Sequence, residues 1–356
     1  MNPIQLINRT FILAAAPFIG IFCFLMVSHL SVELPDLQSY VKTEFSIQNE
    51  LLKSEQKLEL AKTAAVQTRT TIERFYQLYA QSAADVAAMA QSADTVSNRP
   101  AAIFDSRIST KLGAQPAKQT NSANLDMKLF YLNEPNYKAY ALKVDVKSDK
   151  ALKMVLGKDK VGSSETTLEA ARRYGAVAGI NAGGFADDRS GKRYPLSTTM
   201  LNGKYVYGFE PTFEDLAFIG MNTDRKLIGG RFSRQEELDK LKPSFGATFV
   251  PVLLQNGKKQ AIPAQWQNSP ARAPRTVIGN FKNDQLLFLV TDGYDERGGS
   301  GATLAELQDK LLQLGVKDAY NLDGGGSSSL IYEGQVINRP SDGKLRPLPT
   351  HFLFFK

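Results

Sequence analysis

The sequence predicts an α+β fold, with a mixed or antiparallel sheet and few helices in the folded part of the chain. Short apolar runs separated by turn residues follow one another from residue 126 onward, which is typical of strands. Asn-Gly pairs at Asn202 and Asn256 indicate hairpin turns. Two stretches of this region, residues 166–174 and 303–314, have the apolar spacing expected of helices. Strands interspersed with so few helices indicate the α+β class.

The first 35 residues are predicted to be a membrane anchor. Residues 11–27 are apolar apart from Pro17 and Gly20, and extension to Leu30 approaches the roughly 20 residues that span a bilayer. Arg9 precedes this run and acidic residues follow it, so the positive-inside rule places the rest of the chain outside the cytoplasm. The expected localisation is therefore the cell membrane, single-pass, with an extracytoplasmic domain. A cleaved signal peptide is the alternative, although no small-x-small cleavage site follows the apolar run.

Residues 36–91 are predicted to form a helical stalk with a coiled-coil-like seam. Apolar or small residues recur every seven positions in two rows, one beginning at Ile47 and the other at Leu51. A helix over residues 47–89 would be about 65 Å long. Because Ser, Thr and Ala dilute the seam, two interpretations stay open: self-association through the stalk, or a single amphipathic helix lying on the domain.

Residues 92–124 have the composition of a linker. They are rich in Ala, Ser, Thr, Gln and Asn, with Pro100 and Pro116 as helix breakers. The folded domain is therefore predicted to occupy residues 125–356.

Composition limits the chemistry that this chain can perform. The net charge is +7 and the pI about 9.2, but no dense Lys/Arg block with interleaved aromatics occurs, so nucleic acid is not an expected partner. A single cysteine excludes an internal disulfide and a Cys-rich zinc site. The two histidines, His29 and His351, exclude a His-rich zinc site, and a Ser-His-Asp triad would have to use His351. No metal site is predicted, and acid–base chemistry falls mainly to Asp, Glu, Tyr or Lys.

The most informative stretch is residues 321–329, in which an acid, three glycines and three serines lie between two apolar runs. A carboxylate at Asp323, a backbone free of Cβ atoms and a row of hydroxyls can together hold an oxygen-rich ligand. A flexible Gly/Ser loop is the alternative. Linker-like loops rarely lie between two apolar strands, which favours a binding site.

Three further strand ends carry polar residues of the kind found at binding sites. Asn181 follows a buried strand and precedes Ala182 and a pair of glycines. Arg275 opens another strand, and its planar guanidinium suits a phosphate or carboxylate. Asp292 ends a third strand, and Arg297 follows closely. Each has a structural alternative, respectively an Asn cap, a surface arginine and a turn. With the glycine stretch they supply two carboxylates, two guanidinium groups and two amides.

With these motifs in this order, residues 125–355 resemble the phosphodiester glycosidase family. The resemblance rests on the order and spacing of Asn181-Ala182-Gly183, Pro274-Arg275-Thr276 with Ile278-Gly279, Asp292-Gly293 with Arg297-Gly298, Asn321 to Ser327, and Pro340-Ser341-Asp342. One departure concerns the first motif, which the family follows with aromatic residues. Gly184 stands in place of the first aromatic, which could widen the pocket or alter the sugar preference.

The resemblance implies hydrolysis of the bond between the anomeric carbon of a GlcNAc-like sugar and a phosphodiester oxygen. We expect the substrate to be an exopolysaccharide or a cell-wall polymer. The implied catalytic residues are Asp323 and Asp292, either of which could act as base or nucleophile, and Arg275, which would stabilise the departing phosphate. The implied substrate-binding residues are Asn181, Gly183, Arg297, Asn321, Gly325, Gly326, Ser327 and Ser328.

No cofactor is implied by the resemblance. A divalent cation such as calcium is compatible with Asp323 and a phosphate, but nothing in the sequence requires one. The alternative function is a non-catalytic binding or assembly factor for polysaccharide or wall polymer that retains the pocket.

Overall fold

The computed structural model describes residues 15–24, 26–28, 44–268, 270–293 and 301–356. The chain divides into two compact units, Met1–Gln91 and Ser92–Lys356. The helices with defined bounds are α1 (Glu44–Leu112), α2 (Thr167–Tyr174), α3 (Gln235–Asp239), α4 (Ala264–Asn268) and α5 (Leu304–Leu314).

Three sheets and a separate hairpin organise the second unit. The first sheet has eight strands, in the order β1 (Lys118–Asn121), β2 (Leu125–Asn133), β3 (Lys138–Val146), β16 (Leu286–Thr291), β15 (Thr276–Asn280), β17 (Asp318–Leu322), β13 (Val252–Gln255) and β14 (Lys258–Lys259). The second sheet runs β19 (Gln335–Val336), β18 (Leu330–Tyr332), β5 (Ala178–Asn181), β20 (Thr350–Phe354) and β4 (Leu152–Leu156). The third sheet runs β11 (Leu227–Gly230), β10 (Ala217–Asn222), β12 (Pro243–Phe249), β8 (Met200–Leu201) and β9 (Lys204–Tyr205). The hairpin consists of β6 (Phe185–Asp187) and β7 (Arg193–Pro195).

The predicted α+β class is wrong, because the second unit is mostly β. The strand pairings in its described residues are antiparallel, as in the neighbours β3, β16, β15 and β17 of the first sheet. α2 packs on strands of the second sheet and α5 on the first, so each covers part of a sheet face. The helices therefore pack against antiparallel sheets and do not form a separate layer.

The prediction of a membrane anchor is also wrong. Residues 15–24 and 26–27 are helical. Across the described ranges no helix is both long enough and apolar enough to cross a membrane, which overturns the anchor and the membrane localisation derived from it. Parts of the predicted span, residues 11–14, 25 and 29–30, lie outside the described residues.

A long helix, α1, is present where the stalk was predicted. The large apolar residues of its seam are exposed to solvent, with Leu58, Ile72 and Val86 at 58%, 62% and 63% exposure. No pairing of this seam is seen within the part of the chain that the structure describes. The coiled-coil interpretation therefore lacks support, and self-association stays a prediction.

The segment predicted as a linker, residues 92–124, has regular structure. α1 continues through it to Leu112, which is completely buried, and β1 then pairs with β2. Asp105 forms ion pairs with Lys128 and with the buried Lys143. Long-range contacts of this kind fix a segment whose own composition carries little structural preference.

The core lies on both faces of the first sheet. Along β16, Leu286, Phe288 and Val290 face the cluster shared with the second sheet, whereas Leu287 and Leu289 face the cluster formed with α5. Each such side chain contributes about 1.5–3 kcal/mol when fully buried. Burial on both faces explains why β16 is a continuous apolar run and not an alternating one.

Two helices lead directly into strands that end at the candidate site. α2 precedes β5 and α5 precedes β17. Both begin with a capping box, Thr166 with Glu169 and Thr303 with Glu306. Both end at a glycine in the left-handed region, with φ of 64° and 88°. These caps fix where each of the two strands starts.

Candidate functional site

The predicted motifs converge at one edge of the first sheet. Thr276, the first residue of β15, is paired with Val290 near the end of β16 and with Leu322 at the end of β17. Because β15 runs antiparallel to both neighbours, its start lies beside their ends. Arg275 and Asp323 are thereby brought to the same edge.

Asn181, at the end of β5, ties this edge to the second sheet. Its side-chain amide donates to the backbone oxygen of Asp323 at 2.7 Å, and its Oδ1 accepts from the Thr276 hydroxyl at 2.9 Å and from the Ser329 amide at 3.0 Å. The residue is completely buried. The structure thus places Asn181 beneath the site, where it positions Asp323 and has no exposed surface for a ligand.

The glycine stretch folds back against the Arg275 motif. The Gly325 amide donates to the carbonyl of Pro274 at 2.8 Å, and Gly325 has a φ of 60°. A Cβ atom on Gly324 would lie 2.9 Å from that same carbonyl oxygen. A side chain on Gly326 would collide with Asp342 and Arg346. The Gly325 amide is therefore used within the protein, and Gly326 leaves room for an arginine to approach the loop.

Asp323 is a carboxylate held out of water without a full set of partners. Its Oδ2 is buried and has no hydrogen-bond partner among the described residues, although the residue as a whole is part-exposed. Burial raises the pKa of Asp323 to about 6, against the hydrogen bonds of the Ser327 hydroxyl and the Gly324 amide and the charges of Arg346 and Arg193. The buried Oδ2 explains the raised pKa, because burial of an ionised oxygen that lacks a hydrogen-bond donor costs free energy. A carboxyl group with such a pKa can exchange a proton near neutral pH.

Two arginines absent from the predicted set act on this carboxylate through their charge. Arg346 forms an ion pair with Asp342 at 2.7 Å and donates to the Ser327 hydroxyl at 3.3 Å. Arg193, on β7, pairs with Asp187 at 3.1 Å, and its guanidinium lies over a neighbouring aromatic ring. Arg346 follows the Pro-Ser-Asp motif by four residues and was within reach of sequence reasoning. Arg193 belongs to no motif, and only the tertiary fold brings it near.

Arg275 is a buried cation without an acidic partner. Its guanidinium donates to the carbonyls of Pro270 at 2.8 Å and Ala302 at 3.4 Å, and among the described residues it forms no ion pair. Burial lowers the pKa of Arg275 to about 10, so the side chain is still charged at neutral pH. A buried charge that lacks a counter-ion favours the binding of an anion.

Asp292 is fixed by hydrogen bonds to both of its carboxylate oxygens. Oδ1 accepts from the Arg339 amide at 2.8 Å and Oδ2 accepts from the Tyr140 hydroxyl at 3.0 Å. The Gly293 amide in turn donates to the Arg339 carbonyl at 2.5 Å. Asp292, which directly follows β16, thus anchors the segment that begins at Arg339 and includes Asp342. The predicted partner of this motif, Arg297, lies outside the described residues.

The remaining predicted residues have mixed surroundings. Asn321 is buried and donates to the Val250 carbonyl at 2.6 Å, while its Oδ1 has no partner within the described residues. The Ser328 hydroxyl is likewise buried without a described partner. A Cβ atom on Gly183 would lie 2.5 Å from that of Ala247, which indicates close packing.

Gly184, the departure from the family pattern, does not leave open space. A Cβ atom there would lie 2.7 Å from the ring of Phe249, on β12. An aromatic ring from another strand therefore occupies the volume beside Gly184, and the expected widening of the pocket is absent at this point.

His351 takes no part in the site surface. It is completely buried, and burial lowers its pKa to about 4. Nε2 lies 3.1 Å from the Leu348 carbonyl, which can only accept, so Nδ1 must accept from the Thr167 hydroxyl at 3.1 Å. The Ser329 hydroxyl, 2.7 Å away, then donates to Thr167. A chain of hydrogen bonds thus leads from the neutral imidazole to Ser329, whose amide contacts Asn181.

Fold and site together define a β-sheet domain in which Asp323, with a buried Oδ2, and the buried Arg275 lie at one sheet edge. The phosphodiester glycosidase family model matches residues 174–355, about half of the 356-residue chain, and the chain belongs to this family.

Relatives are found among curated proteins and solved structures. The bovine N-acetylglucosamine-1-phosphodiester alpha-N-acetylglucosaminidase is 29% identical over 191 residues, which cover 50% of this chain and 35% of the relative. An uncharacterized prophage-derived protein of Bacillus subtilis is 29% identical over 180 residues, covering 50% of this chain and 28% of that protein. The matched region is thus about a third of the length of these relatives.

The fold has a solved counterpart. The zebrafish N-acetylglucosamine-1-phosphodiester alpha-N-acetylglucosaminidase catalytic domain, auto-inhibited by its pro-peptide, superposes with a TM-score of 0.54 at 20% identity. The match covers 68% of this chain and 87% of that chain. At this identity the likeness shows the shared fold.

Proposed function

We propose that this protein is a phosphodiester glycosidase that hydrolyses sugar-1-phosphodiester linkages of a GlcNAc-like sugar in an exopolysaccharide or cell-wall polymer. The observation that carries the proposal is the Asp323 carboxylate, whose Oδ2 is buried without a donor among the described residues, in a loop whose Ser327 hydroxyl accepts from Arg346 at 3.3 Å. The bovine relative is an N-acetylglucosamine-1-phosphodiester alpha-N-acetylglucosaminidase, which supports a sugar-1-phosphodiester as the substrate.

The reaction breaks the bond between the anomeric carbon and the phosphodiester oxygen, and the electron pair leaves with the phosphate. Asp323 acts either as base toward the attacking water or as nucleophile at the anomeric carbon, and both roles require its ionised form. A phosphate is a good leaving group, so stabilisation of its charge matters more than protonation. Arg346, Arg193 and the unpaired Arg275 are the groups that supply it. We propose that no cofactor is needed.

The other predicted residues receive different roles in this proposal. Ser327, Ser328 and Asn321 are buried like Asn181, so we assign them to the walls that support the site, where Ser327 holds Arg346 through its hydroxyl. Asn181 and Asp292 act as positioning residues, because their side-chain groups are bonded within the protein. Gly325 and Gly326 let the loop turn closely under Arg346.

The experiment compares the full-length protein with Asp323→Asn on a panel of GlcNAc-1-phospho-alkyl substrates, measuring released sugar. We expect turnover by the wild type and a loss of about 10² to 10⁴-fold in the variant. Asp149→Asn is the matched control, since it removes an exposed carboxylate paired with Arg225 at 3.0 Å. Substrate binding without turnover across the whole panel would instead support the non-catalytic polymer-binding alternative.

A further inference from the structure

Arg193, on β7, connects the β6–β7 hairpin to a separate segment of the second unit. Its Nε pairs with Asp187 of β6 at 3.1 Å, and its guanidinium carbon lies 4.7 Å from the centre of the Phe185 ring. Its Nη1 donates to the backbone carbonyl of Pro347. The side chain is 23% exposed, so these contacts lie largely away from solvent. The arginine therefore joins the hairpin to the residue that directly follows Arg346.

Arg346 contacts the loop that follows Asp323. Its guanidinium donates to the Ser327 hydroxyl at 3.3 Å and pairs with Asp342 at 2.7 Å. The same hydroxyl is a hydrogen-bond partner of the Asp323 carboxyl group. A side chain on Gly326 would collide with the Arg346 guanidinium, which shows how closely the loop approaches it. One hydroxyl group thus lies between Arg346 and the proposed catalytic carboxylate.

The backbone beyond Arg346 is held at two points by different kinds of bond. Leu348 exchanges both of its backbone hydrogen bonds with Glu165, at 2.7 and 3.2 Å. Pro347 has no N–H, so only its carbonyl can accept a hydrogen bond that fixes its backbone. Arg193 is the donor to that carbonyl. Loss of the Arg193 guanidinium would therefore release the residue next to Arg346, while the backbone bonds at Leu348 are kept.

We propose that Arg193 is a positioning residue, which keeps Arg346 against the Ser327 hydroxyl through its hydrogen bond to the Pro347 carbonyl. This inference rests on the proposed function and gives Arg193 a role in that site beyond its charge. A planar guanidinium can contact a carboxylate, a carbonyl and a ring face at the same time, whereas a lysine ammonium is a point charge. The alternative is direct contact of Arg193 with the substrate phosphate. The two roles differ in how loss of Arg193 combines with loss of Arg346.

The test is a double-mutant cycle on kcat/KM of the full-length protein, with a GlcNAc-1-phospho-alkyl compound as substrate. We expect Arg346→Ala to lower kcat/KM about 10²-fold and Arg193→Ala to lower it about tenfold. Because Arg193 acts through Arg346, the double variant should be within about twofold of Arg346→Ala alone. Losses that multiply would overturn the inference and indicate direct contact with the phosphate. Arg225→Ala, which removes an exposed arginine paired with Asp149 at 3.0 Å, is the matched control and should leave kcat/KM unchanged.

A pH profile separates positioning from a general loss of folded protein. Arg193→Lys keeps the positive charge but not the planar group, so Arg346 should move away from Ser327 and Asp323. Because the charge of Arg346 lowers the pKa of Asp323, the acid limb of the kcat/KM profile should shift to higher pH in Arg193→Lys, as in Arg346→Ala. A merely structural defect would lower the whole profile without moving this limb. An unshifted limb in Arg193→Lys would therefore overturn the inference.

Binding of GlcNAc-1-phosphate is measured separately by calorimetry in the Asp323→Asn background, so that the inference can be judged without turnover. We expect about tenfold weaker binding for Arg193→Ala and for Arg346→Ala, with little further loss when the two are combined. Losses that multiply, an unchanged affinity in Arg193→Ala, or no binding of the probe at all would overturn the inference. Coupled losses in binding without turnover of any substrate by the wild type would leave the positioning role standing and refute the proposed hydrolase.

Discussion

Asp323 and Asp292 both end a strand of the first sheet, yet their surroundings are opposite. Asp292 has a donor on each oxygen, the Arg339 amide and the Tyr140 hydroxyl. Asp323 has a buried Oδ2 without a described donor and a raised pKa. An acid that the fold satisfies stabilises the fold, whereas an acid that the fold leaves unsatisfied retains binding capacity for a ligand. The comparison therefore indicates an anchoring role for Asp292 and a chemical role for Asp323.

The largest expected effect is a gain of stability on removing the unsatisfied charge. The pKa of Asp323 is about 6 in the folded protein and 3.8 ordinarily. Between these two pH values the folded state holds a proton that the unfolded state has released, so the protein loses stability as the pH rises from 3.8 to about 6. Asp323→Asn should therefore raise the free energy of unfolding by up to about 3 kcal/mol above pH 6.5. The gain should disappear near pH 3.5, where the aspartate is itself neutral.

The measurement is denaturant unfolding followed by the fluorescence of Trp266, the single tryptophan of the chain, which lies in the second unit. Asp149→Asn serves again as the control for loss of an exposed carboxylate. A lower stability of Asp323→Asn at pH 7.5 would show that the carboxylate is satisfied after all.

A similar effect of opposite sign is expected from His351. Its pKa is about 4 in the folded protein and 6.5 ordinarily, so its contribution is complete above pH 6.5 and is lost as the pH falls toward 4, by about 3 kcal/mol. Between pH 4 and 6 the contributions of these two groups to the stability offset each other. Asp323→Asn should expose the histidine slope, and His351→Gln the aspartate slope, in the same Trp266 assay. Parallel pH profiles for the two variants would contradict this assignment.

The smallest expected effect is a loss at the satisfied acid. Asp292→Asn retains one acceptor oxygen but places an amide against the Arg339 N–H or the Tyr140 hydroxyl, so we expect about 1–2 kcal/mol of destabilisation at pH 7.5. Tyr140→Phe removes the other partner of the same bond and should show a similar loss. Stabilisation by Asp292→Asn at neutral pH would place this carboxylate in the same class as Asp323.

Local patterns in the sequence predicted the positions of the helices better than they predicted the fold class. The capping residues and terminal glycines of α2 and α5 lie within or directly beside each helix in the sequence, so they could be recognised locally. Both helices lie close to their predicted bounds. The apolar anchor and the linker were misjudged because composition alone decided them. Residues 92–112 are helical, and contacts such as that of Asp105 with Lys143, 38 positions away, stabilise the end of α1. Distant partners of this kind leave no local pattern.

At the candidate site, too, local sequence patterns could be recognised whereas contacts between distant residues could not. The strand-end motifs could be found because glycines and polar residues are rare between buried strands, and the structure brings them to one edge. The engagement of Asn181 with Thr276, 95 positions away, could not be inferred from either segment. Arg193 lies on a hairpin without any motif, and its position beside Asp323 depends on the packing of the whole second unit.

The position of β20 has a consequence for synthesis. Asn181 is paired across the second sheet with His351, 170 positions later in the chain. Translation delivers β20 after every other strand described, so β5 emerges long before its neighbour exists. The hydrogen bond between His351 and Thr167 can form only at that point. A nascent chain that lacks β20 therefore lacks both this bond and one of the two strands that flank β5.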